Sequence, residues 1–318
     1  MSQLPTFFRL ACGALTLLAL QACDPKPAAG PTPTTTPGAS VEDDVHFTTE
    51  GKRIVAANTA AAEYLYFLVP ADRVAAVPEQ VGAYSSVSFA DSGWENVERL
   101  PRYSADPVLA ARADLVVTHP WQEPETTSLL RKQDVPVLVL VSANGWDDIA
   151  RNMRTLGRVL HREKRAETEI LRRGNTVERL ARDAAKRPKL RALVYSNDGN
   201  GGWAASKGTT ADAVLRMAGL GNAATEAGLT GHAQVDFDRL LVLDPDVLVL
   251  TEAAKGQATS TTLATLQGAP AAQSLRALKE NKLVFVPDAL LSSDSPTMVD
   301  AADLLALRVD DLLAGRKQ

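Results

Sequence analysis

Four histidines, His46, His119, His161 and His232, are the side chains best suited to hold a metal or move a proton in this 318-residue chain. No two stand at a short ligand spacing, and zinc or manganese needs several convergent nitrogen and carboxylate ligands. His46 lies beside a proline-rich stretch and His161 within a charged helical one. At most His119 and His232 could face one cleft, so bare-metal binding is a minor reading and no resident metal site is expected. Two glycine-rich runs fail as nucleotide motifs. Asn200–Thr210 lacks the glycine that precedes the lysine of a phosphate loop, and Gly208 occupies the slot needed for a magnesium-binding hydroxyl. Gly219–Ala224 follows a helical pattern rather than a strand, so its glycines read as a helix end. No Gly-x-Ser-x-Gly elbow is present. With no catalytic constellation, the chain reads as a non-enzyme.

Cysteine chemistry points elsewhere. Arg9 and the apolar run Leu10–Leu20 have the layout of a secretory signal, and the run is too short to span a bilayer. Leu20-Gln21-Ala22-Cys23 resembles a bacterial lipobox, in which cysteine is lipidated and becomes the new N-terminus. Loss of residues 1–22 removes Cys12 and leaves Cys23 alone, which excludes an intrachain disulfide or a cysteine-rich cluster. The mature chain then carries 33 basic and 38 acidic residues. No basic block is present to grip phosphates, so nucleic acid is not an expected partner. Residues 23–47 read as a lipid-anchored linker whose Pro/Thr/Gly composition cannot offset the entropy of ordering. Nothing beyond the lipid is expected to enter the membrane. The expected location is the periplasmic face of a bacterial membrane, with Asp24 favouring the inner one.

The elements that position the remaining residues alternate short branched-apolar runs with helical patterns, which argues for parallel α/β organisation. Strands are expected at Arg53–Ala56, Arg73–Val77, Leu115–Thr118, Val137–Val141, Leu190–Ser196, Val247–Thr251 and Leu283–Val286. Between the fourth and fifth, Trp146–Lys186 has no proline and is rich in Arg, Glu, Leu and Ala. About 25 of its residues as one helix would cover about 38 Å. An internal echo pairs Ser104–Val117 with Asp236–Val249: Ser104 matches Asp236, Asp106 matches Asp238, and Asp114 matches Asp246. Two lobes of similar build follow. We divide the chain into signal 1–22, linker 23–47, first α/β lobe 48–160, bridging helix 161–187 and second α/β lobe 188–318.

In open α/β sheets, ligands bind where strand C-termini meet helix N-termini. That rule nominates Asn58, Thr59, Tyr84, Ser85, Arg102, Tyr103, His119, Trp121, Asn197, Asp198, Trp203, His232, Asp288 and Leu290. Aromatics make up only 5% of the chain, so several in such loops would supply flat apolar walls for a bulky ligand. Arg102 suits the carboxylate or hydroxamate oxygens of an anionic chelate.

The segments RIVAANTAAAEYLYFLVPADRVAAV, DPVLAARADLVVTHP, NMRTLGRVLHREKRAE, TTADAVLRMAGLGNAA, FDRLLVLDPDVLVLTEA and KLVFVPDALLSSDSPTMVDAADLLA follow one another in family order. They resemble the periplasmic-binding family for iron-siderophore, haem and cobalamin, the substrate-binding subunits of ABC importers. The resemblance covers residues 50 to 312. It implies two Rossmann-like lobes joined by a single long helix, with the ligand cleft between them. It also implies a monomer working with a permease dimer and its ATPase, and a transported iron chelate, haem or cobalamin as cargo. Asp106 and Asp238 match the family's permease-docking acids, although the family's usual residue is glutamate. Tyr103 or Tyr84 would be the haem ligand if haem is the cargo. A non-transport sensor or scaffold lipoprotein is the reading from another class.

Overall fold

The computed structural model describes residues 51–252 and 258–316. Cys23, His46, the signal and the linker lie outside them.

Strands covered by helices on both faces have no polar side to present, which is why they read as continuous apolar runs. Ile54, Val55 and Ala56 are accordingly all fully buried, as are Leu115, Val116 and Val117. The first lobe runs β1 (Ile54–Ala56), α1 (Thr59–Leu68), β2 (Val74–Pro78), α2 (Val81–Tyr84), α3 (Phe89–Ser92), β3 (Glu98–Leu100), α4 (Ala105–Ala110), β4 (Leu115–Thr118), α5 (Pro124–Lys132) and β5 (Val137–Val139). Its sheet is parallel throughout, in the order β3-β2-β1-β4-β5. Two helices follow, α6 (Trp146–Val159) and α7 (Glu163–Ala184).

The second lobe runs β6 (Arg191–Asn197), β7 (Gly202–Ala205), α8 (Thr210–Met217), β8 (Gly221–Asn222), α9 (Ala223–Glu226), β9 (His232–Gln234), α10 (Phe237–Leu243), β10 (Val247–Thr251), α11 (Thr261–Gly268), α12 (Arg276–Lys279), β11 (Leu283–Val286), α13 (Asp288–Ser292) and α14 (Thr297–Leu313). Its order is β11-β10-β6-β7-β9, with β8 also paired to β6. Here the purely parallel expectation needs correcting, because β7 runs antiparallel to both β6 and β9. Gly-Trp-Ala-Ala and His-Ala-Gln carry little intrinsic strand signal. They become strands by pairing outward from the long β6, a context effect that outweighs propensity.

The long charged stretch folds as two helices, α6 and α7. His161 takes a left-handed φ of 54° between them, and the Arg162 N–H donates back to Gly157 O at 2.7 Å. Gly157 is required at this elbow, because a Cβ there would lie 2.8 Å from the Ala166 Cβ. The second helix, 22 residues long, spans about 33 Å and stands in sequence between the two sheets.

One apolar cluster runs through both lobes. It holds Ile54 and Leu115 of the first sheet, Val247 and Val284 of the second, and Leu156, Ile170 and Leu305 from α6, α7 and α14. Arg173, 1% exposed, fixes the same junction with polar contacts. Its guanidinium lies 4.0 Å over the Phe67 ring of α1. It also donates to Glu169 at 2.6 Å and to Pro296 O, at the start of α14, at 3.1 Å.

The internal echo has a structural counterpart. Asp114 accepts the Lys52 and Arg53 N–H groups at the entry to β1, and Asp246 accepts the Arg191 N–H at the entry to β6. Arg53 donates from its side chain to Ala111 O, just past α4, and Arg191 donates to Leu243 O, the last residue of α10. The two lobes thus tie their first strand to a neighbouring one, β1 to β4 and β6 to β10, with the same aspartate–arginine pair.

Candidate ligand-binding site

At the C-terminal ends of the first lobe's strands lies a cavity of ≈ 770 Å³. Asn58 and Thr59 enter it from the N-terminal end of α1, Arg102 and Tyr103 from the turn after β3, and Trp121 from the loop after β4. The far wall is Asp288, Ser292, Ser293 and Asp294, from α13 and the residues after it. Tyr84 and Trp121 are the large exposed aromatics of the lining, each 55% exposed. Arg102 is the cation among these residues, against the carboxylates of Glu123, Asp288 and Asp294.

The floor is an interlocked polar set. Asn58 caps α1, its Oδ1 accepting the Ala61 N–H at 2.9 Å. The same oxygen lies 3.2 Å from His119 Nδ1. An amide oxygen can only accept, so Nδ1 carries the proton and Nε2 is the bare nitrogen. Nε2 and Asn58 Nδ2 are both buried without a partner. Burial lowers the His119 pKa from 6.5 to about 4, keeping the ring neutral. Trp121 stacks on that ring, with centroids 5.6 Å apart at 17°. Asp294 accepts the Ala143 N–H at 2.7 Å and a hydrogen bond from the Trp121 side chain. Burial is the main cause that raises its pKa to about 7, and the negative charge of Asp148 adds to it.

Seven of the predicted residues line this cavity: Asn58, Thr59, Tyr84, Arg102, Tyr103, Trp121 and Asp288. His119 lies beneath them, 1% exposed. Tyr103 is 6% exposed, and its hydroxyl lies 3.3 Å from Thr127 Oγ1. Asn197, Trp203 and His232 are not part of the lining. The Asn197 amide donates to the Tyr195 hydroxyl, its backbone N–H donates to Thr262, and Trp203 and His232 are exposed on β7 and β9. Asp106 and Asp238 are exposed in the first turns of α4 and α10.

Sequence reasoning did not single out Asp294 or Glu63. Glu63 is fully buried on α1. Its carboxylate accepts hydrogen bonds from the Ser85, Ser293, Ser295 and Thr297 hydroxyls. A signal existed for each: a lone acid in the apolar helix AAAEYLYFL, and a run of hydroxyls, SSDSPT, beside it in space.

The sequence model described as Periplasmic binding protein matches residues 54–290. No curated protein matches the chain. Among solved structures, a periplasmic haem-binding protein from Pseudomonas aeruginosa is 23% identical with a TM-score of 0.68, covering 81% of this chain and 93% of its own. The periplasmic vitamin B12-binding protein of Vibrio cholerae is 18% identical with a TM-score of 0.65, covering 84% and 98%. A protein of an ABC-type Fe3+-hydroxamate transport system from Saccharomonospora viridis is 20% identical with a TM-score of 0.65, covering 83% and 93%. These likenesses establish the two-lobe fold.

Proposed function

The chain belongs to the periplasmic binding protein family, and from that premise we propose that it captures a ferric siderophore or a related metal chelate or tetrapyrrole and delivers it to a membrane permease. One observation carries the reading: the ≈ 770 Å³ cavity sets exposed Tyr84 and Trp121 beside a rim of hydroxyl, amide and charged groups. That combination suits a bulky, rigid ligand with flat apolar faces and a polar edge. A rigid ligand entering preformed walls loses little conformational entropy, so burial converts efficiently into affinity. The apolar cluster shared by the two lobes supports a small rocking motion rather than a wide hinge.

Haem and cobalamin are the alternatives within the same chemistry, and solved neighbours are described as binding each. The charged groups of the lining, three carboxylates against Arg102, favour cargo that presents hydrogen-bond donors over one that buries several anionic groups. Delivery would use a permease dimer and a separate ATPase, with Asp106 and Asp238 as docking acids. Export with a lipid on Cys23 would hold the protein at the membrane. No helix among the described residues is long and apolar enough to cross a membrane.

The test is titration of the chain lacking residues 1–23 with haemin, cyanocobalamin and a ferric trihydroxamate. Absorption bands and tryptophan emission are followed together. Binding of at least one tighter than about 10 μM, or about −7 kcal/mol, is expected. Failure of all three at that level overturns the proposal.

A further inference from the structure

Glu63 belongs to the first lobe, yet most of its partners belong to the end of the chain. It sits in the middle of α1, fully buried. One carboxylate oxygen accepts from the Ser85 hydroxyl at 2.6 Å and from the Ser86 N–H at 3.3 Å. The other accepts from Ser293, Ser295 and Thr297, the last at 3.0 Å. Ser295 in turn accepts the Thr297 N–H at 3.1 Å, which closes the turn into α14.

These partners flank cavity residues on both sides. Ser85 directly follows Tyr84, and Ser293 directly precedes Asp294. A buried carboxylate without donors is strongly disfavoured, so it holds its donors firmly once they are in place. An arrangement of one acceptor serving two walls fixes their separation. The α13–α14 connection is fastened to the first lobe a second time where Asp294 accepts the Ala143 N–H.

We propose that Glu63 is the positioning residue of the cavity: its single carboxylate locks the Tyr84 wall and the Ser293–Asp294 wall at a fixed spacing. It touches no ligand and is absent from the lining. This builds on the reading of the cavity as the binding site, but its first consequence appears without any ligand. Glu63→Gln keeps the volume and loses acceptor capacity for the clustered hydroxyls. Both walls should then loosen together.

The experiment measures amide hydrogen exchange in wild type, Glu63→Gln and the Ser293→Ala/Ser295→Ala double variant. Haemin, cyanocobalamin and a ferric trihydroxamate are titrated in parallel. Exchange about tenfold faster at residues 84–88 and 292–297, with β4 and β10 unchanged, is expected for Glu63→Gln. The serine variant should loosen 292–297 in the same way. Whichever probe the wild type binds should bind about tenfold more weakly, with Trp121 more accessible to acrylamide. Uniformly faster exchange, or unchanged exchange in both wall segments, overturns the proposal. If Glu63→Gln does not fold, the serine variant decides by the same criteria. Binding of no probe by wild type counts against the cavity reading alone, because the exchange result still decides the role of Glu63.

Discussion

Trp121 lies flat on His119, ring centroids 5.6 Å apart and 17° from parallel, and its side chain donates to Asp294. One indole therefore joins two groups whose titrations oppose each other. His119 has a pKa depressed to about 4 by burial, so its contribution to stability is present above the unfolded value near 6.5 and is lost as pH falls toward 4. Asp294 has a pKa raised to about 7 from 3.8, so its contribution is present at low pH and is lost as pH rises toward 7. Each shift corresponds to on the order of 3 or 4 kcal/mol, and the two cancel over most of the window. We predict that urea midpoints of the wild type vary little between pH 4 and 6.5. His119→Gln should lose stability as pH rises through that range, and Asp294→Asn should lose it as pH falls. Parallel pH profiles for the two variants would refute this.

The two cavity tyrosines are unequal. Tyr103 is 6% exposed with its hydroxyl beside Thr127, whereas Tyr84 is 55% exposed. A phenol engaged inside the wall is not available to a ligand's metal. Tyr103→Phe should leave the visible spectrum of a haemin complex unchanged and cost about 1 kcal/mol of stability. Tyr84→Phe should alter the spectrum if haemin binds through a phenolate. A spectral change with Tyr103→Phe alone would reverse the assignment.

Arg173 offers a test of how the lobes are held. Removing one partner of a buried ion pair leaves the other unpaired, and typical losses are about 3–5 kcal/mol. Glu169 is also reached by Arg165 and Arg172, so the lower end applies. Arg173→Ala should cost about 3 kcal/mol by urea denaturation, with a single transition. Arg173→Met, which loses the guanidinium over Phe67 but keeps an apolar stem in the buried site, should cost less. Equal losses would place the energy in the charge rather than in the packing.

Much of the scaffold was legible because buried parallel strands are written as branched-apolar runs; Leu115–Thr118, Val247–Thr251 and Leu283–Val286 form strands with the predicted ends. The aspartate echo was legible too, since Asp114 and Asp246 each accept the N–H at the start of their lobe's first strand. What escaped is non-local. β7 and β9 have too few β-branched residues to announce themselves, and the His161 elbow depends on Gly157 meeting Ala166. Asp294 gains the Ala143 N–H, and Glu63 the Ser293, Ser295 and Thr297 hydroxyls, from residues more than 100 positions away in sequence, which no spacing rule reaches.

Asp106 and Asp238 stand at matched positions of the echo, exposed in the first turns of α4 and α10. Acidic residues are favoured there by the helix macrodipole whatever they face, at about 0.3–1 kcal/mol each. Stability alone therefore cannot reveal a docking role, and the test must separate the two effects. Reversing both charges, Asp106→Lys with Asp238→Lys, removes two favourable terms and adds two unfavourable ones, so it should cost no more than about 4 kcal/mol by that mechanism. Neither residue lines the cavity, so probe affinity should be unchanged. If the pair meets cations on a permease, cargo uptake in cells expressing the double variant should fall at least tenfold at equal protein level. Either single reversal should give an intermediate loss. Uptake that tracks only the small stability change would show that the two carboxylates serve their helices and nothing else.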